Sequence, residues 1–100
     1  MKLKVDFITN SSSASFIILR SNLTHVQELM IIDHLESATM FMQRDDADRY
    51  NFGYIGKGEE WKITMDDKNL YGFTSMDNFN MIGLFDAIGV PMGFVDYDHS

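Results

Sequence analysis

Two short apolar segments separated by a polar tract begin the chain and predict a pair of strands. Leu3, Val5 and Phe7 alternate with charged neighbours, which is typical of a half-buried strand. Residues 16–19 (FIIL) are continuously apolar and predict a more buried strand. Between them, the Asn and Ser side chains of residues 9–15 (TNSSSAS) compete with a β ladder for backbone hydrogen bonds. We therefore predict that residues 9–15 reverse the chain to form a hairpin.

A helix is predicted from residue 24 to at least residue 35. Thr24 and Gln27 have the spacing of a capping box, and Glu28 in the first turn complements the helix dipole. The apolar stripe of this helix is predicted to consist of Val26, Leu29, Met30, Ile32 and Leu35. Residues 38–42 either extend the helix or form a separate short element. Residues 43–49 are almost wholly polar and residues 51–60 contain three glycines, so both segments are predicted to be solvated ends or loops.

A second hairpin is the clearest strand signal in the chain. Residues 61–65 alternate between apolar and polar side chains, and residues 66–69 (DDKN) form a turn cluster. Residues 70–73 supply the returning strand, which Gly72 interrupts.

The best-marked helix follows this hairpin. Asp77 is a suitable N-cap, Gly89 stands where a left-handed C-cap is needed, and Pro91 prevents continuation. Its predicted apolar stripe consists of Phe79, Ile82, Phe85 and Ile88, broadened by Met81 and Leu84. Residues 93–97 predict a final short strand. The resulting order, β-β-α-β-β-α-(β), predicts one α+β domain over residues 1–100, with a mostly antiparallel sheet and two helices on one face.

Composition and charge narrow the class of protein. With 45% hydrophobic residues in 100, the chain has enough apolar surface for a core, and the absence of cysteine excludes disulfides and thiolate metal sites. A net charge of −7 argues against direct nucleic-acid binding and fits either plain solubility or attraction to a basic partner surface. No apolar run approaches the ~20 residues that span a bilayer, and the start lacks the core of a secretory signal. We therefore expect a cytoplasmic protein without membrane contact.

Residues 7–17 (FITNSSSASFI) carry a resemblance. The tract resembles an N-terminal signature, F-[VI]-[ST]-N followed by serines and F-[IV], of small uncharacterised proteins of bacteriophages and bacteria. Residues 74–81 (TSMDNFNM) and 87–90 (AIGV) are also similar to a pattern in some phage members. Ala14 departs from the serine run of that signature. The resemblance implies a phage or bacterial origin and, for a phage-encoded protein, a location in the host cell cytoplasm. It implies no activity.

The serine tract is the candidate ligand-binding site, formed by Asn10, Ser11, Ser12 and Ser13. Hydroxyls and consecutive amides can hold a phosphate, but the tract precedes a predicted strand and lacks the Gly and Lys of a P-loop. A serine nucleophile would need a nearby base, and the chain has only His25, His34 and His99 and no G-x-S-x-G elbow. We therefore assign no catalytic residue.

Acidic clusters raise the question of metal binding. Residues 96–99 (DYDH) and the aspartates of residues 45–48 offer hard ligands, whereas the turn at 66–69 has too few for an EF-hand. Such clusters are more often solvated surface, so we predict neither a metal site nor a cofactor.

The remaining hypothesis is protein binding. The candidate partner-binding residues are acidic or aromatic: Asp45, Asp46, Asp48, Tyr54, Glu59, Glu60, Trp61, Asp66 and Asp67. Methionines offer a pliable surface, although Met30 and Met81 have the spacing of core residues. We expect a small acidic phage-type accessory protein that binds a host or phage protein, and that acts as an inhibitor if the bound surface is a basic, nucleic-acid-binding one. The alternatives are a nucleotide- or phosphate-binding protein or hydrolase that uses the serine loop, and a self-assembling structural protein.

Overall fold

The computed structural model describes residues 13–44, 49–56, 58 and 60–99. In this part of the chain, four strands form one antiparallel sheet and three α-helices pack against one face of it, so the predicted α+β class is confirmed. The elements are β1 (Ala14–Leu19), α1 (His25–Ile32), α2 (His34–Met42), β2 (Lys62–Met65), β3 (Asn69–Thr74), α3 (Met81–Ile88) and β4 (Val95–His99). Short 3₁₀ turns at Arg20–Asn22 and Met92–Phe94 follow β1 and precede β4.

The sheet has the strand order β2-β3-β1-β4, and every neighbouring pair is antiparallel. With α1 and α2 between β1 and β2, and α3 between β3 and β4, the element order is that of the split-βαβ, or ferredoxin-like, arrangement. This arrangement is shared by many unrelated functions and implies none of them.

The predicted N-terminal hairpin is wrong. β1 pairs with β3 along one edge and with β4 along the other, so both of its edges are already occupied. Ala14 and Ser15, which were expected in the turn, belong to β1 itself. The predicted strand at residues 3–7 lies outside the described residues.

Side-chain alternation gives the sheet an inner and an outer face. On β1, Ala14, Phe16 and Ile18 point towards the helices and are at most 3% exposed. They join Ile31 of α1 and Leu84 and Phe85 of α3 in the core cluster. The Phe16 and Phe85 rings meet edge to face, with centroids 5.1 Å apart.

The first predicted helix is two helices. The capping box is confirmed: the Thr24 hydroxyl accepts a hydrogen bond from the Gln27 backbone N–H at 3.0 Å, and the Gln27 amide oxygen accepts one from the Thr24 N–H at 2.9 Å. The helical path then breaks at Asp33, whose φ and ψ are −100° and 46°. Residues 38–42 consequently belong to a separate helix, α2.

The predicted apolar stripe of this helix is only partly correct: Met30 and Leu35 pack against the core, but Val26, Leu29 and Ile32 are exposed. Ile31 is fully buried, but Val26 and Leu29 are 63% and 46% exposed. Polar contacts set the rotation of the helix: Glu28 is drawn inward by Arg20, with Nε–Oε2 at 2.9 Å, and the Gln27 amide donates to the Ile88 carbonyl at 3.1 Å. The hydrogen bond to Arg20 lowers the pKa of Glu28, which keeps the carboxyl charged.

The last helix begins later than predicted. Asn80, not Asp77, is its N-cap and accepts a hydrogen bond from the Gly83 N–H at 3.1 Å. The buried face of α3 consists of Met81, Leu84 and Phe85, whereas Ile82 is 37% exposed. Gly89 has the expected left-handed conformation, with φ at 85°.

The β2–β3 hairpin and the final strand are confirmed. Asp66 closes the hairpin turn, because its Oδ1 accepts hydrogen bonds from the Lys68 and Asn69 N–H groups at 2.9 and 2.8 Å. Arg20 donates to the Asp66 carbonyl at 2.8 Å, so the same guanidinium joins this turn to α1.

Candidate partner-binding surfaces

The outer face of the sheet is uncovered in the described part of the chain. Ile17 and Leu19 of β1 are 40% and 50% exposed, and Phe73 of β3 is 51% exposed. We call this surface the open sheet face and define it by Ser15, Ile17, Leu19, Lys62, Thr64, Tyr71, Phe73, Asp96 and Asp98.

Strand register arranges the open sheet face in rows that cross all four strands. One row, from β2 to β4, contains Lys62, Phe73, Ser15 and Asp98. The next row contains Thr64, Tyr71, Ile17 and Asp96. A shallow depression of about 340 Å³ lies over the β2–β3–β1 part of these rows. Apolar side chains thus occupy the middle of the face, between a basic residue at one edge and acidic residues at the other.

A second apolar surface lies on the outside of the helices. Val26 and Leu29 of α1 and Met40 of α2, which is 59% exposed, surround a groove of about 290 Å³. We call this surface the helical groove and define it by Val26, Leu29, Met30, Asp33, Glu36, Ser37 and Met40. Its two carboxylates lie among exposed apolar side chains, a combination that suits a ligand with apolar and basic groups.

Local structure holds the helical groove in shape. The break at Asp33 lets α2 leave at an angle to α1, so that one wall of the groove comes from each helix. The Ser37 hydroxyl donates to the Met30 carbonyl at 2.9 Å across the junction. The groove therefore exists before a partner arrives, which reduces the entropy lost on binding.

Trp61 is a correction to the predicted partner-binding set. It is 3% exposed, and its ring packs 5.6 Å from Phe16 and 6.1 Å from Tyr97 between centroids. Its indole N–H donates to the Phe79 carbonyl at 3.2 Å. The period-two pattern of residues 61–65 had placed this side chain on an apolar face, and that face is the inner one.

The other predicted partner-binding residues are scattered. Tyr54 is 69% exposed, whereas Asp66 is used by the hairpin turn and accepts the Tyr71 hydroxyl at 2.8 Å. Asp67 is exposed beside it, and Glu60 is exposed and accepts the Gly58 N–H at 2.8 Å. Asp45, Asp46, Asp48 and Glu59 lie outside the described residues. The structure does not bring the described members of this set into one patch.

The serine tract leads into a strand, as expected. Asn10, Ser11 and Ser12 lie outside the described residues, and Ser13 directly precedes β1. Of the possible bases, His25 is exposed on α1, and His34 is buried. Nδ1 of His34 lies 2.8 Å from the Ile31 carbonyl oxygen, and Nε2 accepts the Trp61 backbone N–H at 2.8 Å. His34 is therefore the Nδ1-protonated neutral tautomer, and burial lowers its pKa.

Asp77, the predicted helix cap, is instead part of a polar cluster at the end of β4. Its Oδ2 lies 3.3 Å from the Tyr97 hydroxyl and 3.3 Å from His99 Nε2. Its Oδ1 is buried and has no hydrogen-bond partner among the described residues, and burial raises the pKa of the carboxyl.

Because strand alternation turns Asp96 and Asp98 to the outer face, the acidic run at residues 96–99 is divided between two sides of the sheet. Among the described residues, no three His, Cys, Asp or Glu side chains form a group that could hold a metal ion.

No protein-family model matches the chain, and comparisons with curated proteins and with solved structures found no significant match. None of the helices in the described ranges is long and apolar enough to span a bilayer.

The sequence patterns did not reveal either surface, because they assign the apolar residues of both surfaces to the core. Val26 and Leu29 have the spacing of a buried stripe, and Ile17 and Leu19 belong to a continuous apolar run. The amphipathic signal was present in each case, but it does not say which face packs inward.

Proposed function

We propose that the protein is a non-enzymatic binding module, a small phage-type accessory protein that acts in the host cytoplasm by binding a host or phage protein through the helical groove. The observation that supports this function is the exposure of Val26, Leu29 and Met40 around Asp33 and Glu36. Exposed apolar side chains that gather around a groove are a common feature of protein-binding sites.

The chemistry of the groove defines the partner. Apolar side chains of the partner would fill the space between α1 and α2, and lysine or arginine side chains would meet Asp33 and Glu36. The net charge of −7 would steer the approach of such a basic surface. If that surface normally binds nucleic acid, occupation by this protein inhibits it by competition.

Affinity capture from host lysate tests the proposal. We expect the native chain to capture a discrete protein, and the double variant Leu29→Ser, Met40→Ser to lose it by about tenfold or more, because central apolar anchors dominate binding. The matched control is Met76→Ser, Met92→Ser, whose parent side chains are 51% and 44% exposed away from the groove. Equal capture by both double variants would refute the groove as the binding site.

A charge variant tests the electrostatic part. We expect Glu36→Lys to weaken binding, since it removes one attraction to a basic partner. For the same reason, raising the salt concentration should lower capture by this variant less than it lowers capture by the native chain. Binding that is indifferent to both salt and Glu36→Lys would contradict a basic partner.

A further inference from the structure

We infer that the open sheet face is a self-association surface, on which a second copy of this chain packs face to face with a twofold axis that runs parallel to the strands between β1 and β3. The inference is independent of the proposed function, because the helical groove lies on the other side of the sheet. It is supported by the order of residues within each row and by the charges at the two edges.

The twofold axis brings unlike edges together. Rotation about an axis parallel to the strands places β2 of one copy over β4 of the other, and β3 over β1. In the first row, Lys62 then faces Asp98 of the second copy, and Phe73 faces the small Ser15 of the second copy. Symmetry repeats both contacts, so each interface contains two opposite-charge contacts and two pairs of a large with a small side chain.

The second row is equally self-complementary. Tyr71 faces Ile17 of the second copy, which pairs an aromatic ring with a β-branched side chain. The Tyr71 hydroxyl is held by Asp66 at 2.8 Å, so the ring is already fixed in the single chain. Thr64 faces Asp96 of the second copy. In this pair the Thr64 hydroxyl can donate a hydrogen bond to the Asp96 carboxylate.

Charge disfavours a face-to-face arrangement whose twofold axis is perpendicular to the strands. A twofold axis perpendicular to the strands would place β4 over β4, and Asp96 and Asp98 of both copies would then oppose one another. Like charges brought together at an interface are destabilising. Of these two axes, the one parallel to the strands is therefore favoured by the charges.

The size of the face sets the expected strength. Four strands about 4.8 Å apart and five residues of about 3.4 Å each span roughly 19 by 17 Å. This is small for a stable interface, which typically buries about 800 Å² per partner. We therefore expect a concentration-dependent monomer–dimer equilibrium in the micromolar range.

Charge exchange at positions 62 and 98 tests this arrangement by sedimentation velocity over a range of concentrations. We expect Lys62→Asp alone and Asp98→Lys alone each to raise the dimer dissociation constant by about tenfold or more, because each creates two like-charge contacts. An equimolar mixture of the two variants should associate again, because both contacts of a mixed pair then join opposite charges. Lys68→Asp, in the hairpin turn, is the matched control and should associate as the native chain does.

A substitution in the apolar middle of the open sheet face tests the same association. We expect Ile17→Asp to abolish association and to keep the native circular dichroism spectrum, since Ile17 is 40% exposed in the single chain. A native chain that stays monomeric at every concentration overturns the inference. So does a mixture of the Lys62→Asp and Asp98→Lys variants that associates no better than either variant alone.

Discussion

At the scale of single residues, Gly72 and Phe16 occupy opposing positions on β3 and β1. A Cβ atom at Gly72 would lie 2.0 Å from Cε2 of Phe16, so the ring occupies the space that any larger residue would need. The ring cannot move aside freely, because Phe85 and Trp61 pack against it with centroids at 5.1 and 5.6 Å. The glycine that interrupts the apolar run of β3 therefore makes room for the central aromatic side chain of the core.

We expect Gly72→Ala to lower the free energy of unfolding by about 1–3 kcal/mol, the usual cost of overpacking a core. Urea unfolding followed by circular dichroism measures this change. Gly56→Ala is the matched control, since a Cβ at Gly56 has no atom within 4 Å. A second-site change, Phe16→Leu in the Gly72→Ala chain, should cost less than Phe16→Leu in the native chain, because the smaller side chain relieves the clash. Additive losses in the double variant would contradict this account.

At the scale of elements, caps and breaks define the helices more sharply than the apolar periodicity does. Thr24 and Gln27 satisfy one another's backbone groups at the start of α1, and the Asn80 side chain accepts the Gly83 N–H at the start of α3. Periodicity alone placed Val26 and Leu29 in the core, whereas the contacts of Gln27 and Glu28 turned them to solvent. Cap positions follow from nearby residues, but helix rotation depends on partners as distant as Ile88.

The Thr24 cap gives an element-scale prediction. We expect Thr24→Ala to lower the free energy of unfolding by about 1 kcal/mol, because an N-terminal amide of α1 loses its acceptor. Thr39→Ala is the matched control: its hydroxyl donates to the Leu35 carbonyl inside α2, and alanine is a better helix former. Thermal unfolding of the two variants compares them directly. Equal losses at both positions would show that the capping box contributes nothing specific.

At the scale of the whole molecule, His34 connects the helical layer to the start of β2. One ring nitrogen contacts the Ile31 carbonyl, the other accepts the Trp61 N–H, and the ring packs 5.0 Å from Phe79. Protonation would put a second N–H against the Trp61 donor and a charge into the core. The neutral ring is consequently a requirement of the folded state.

This requirement predicts a pH dependence of stability. Because burial lowers the pKa of His34 in the folded state, the unfolded chain binds more protons as the pH falls through about 6.5. We expect the free energy of unfolding to decrease below that pH, with a slope from this residue of at most about 1.4 kcal/mol per pH unit.

Denaturant unfolding between pH 7.5 and pH 5 measures the slope, for the native chain and for His34→Gln. The raised pKa of Asp77 has the opposite effect at lower pH. Its carboxyl binds a proton more readily in the folded state, so it increases the free energy of unfolding as the pH falls. This contribution is the same in both chains. In an NMR titration of the native chain, the midpoint between the charged and the neutral His34 ring should lie below pH 6.5. An identical slope in both chains would contradict a role for His34.

Local chemistry in the sequence was enough to determine the class of the fold, the β2–β3 hairpin, the capping box of α1 and the left-handed end of α3. These features depend on residues a few positions apart, whose propensities and hydrogen bonds need no partner from a distant segment. Only the tertiary structure decided that β1 lies between β3 and β4, that Trp61 and Asp77 point inward, and that Val26, Leu29 and Phe73 point outward. Strand partners and helix rotation are set by contacts between distant segments, and an amphipathic pattern has the same appearance whichever of its faces those contacts cover.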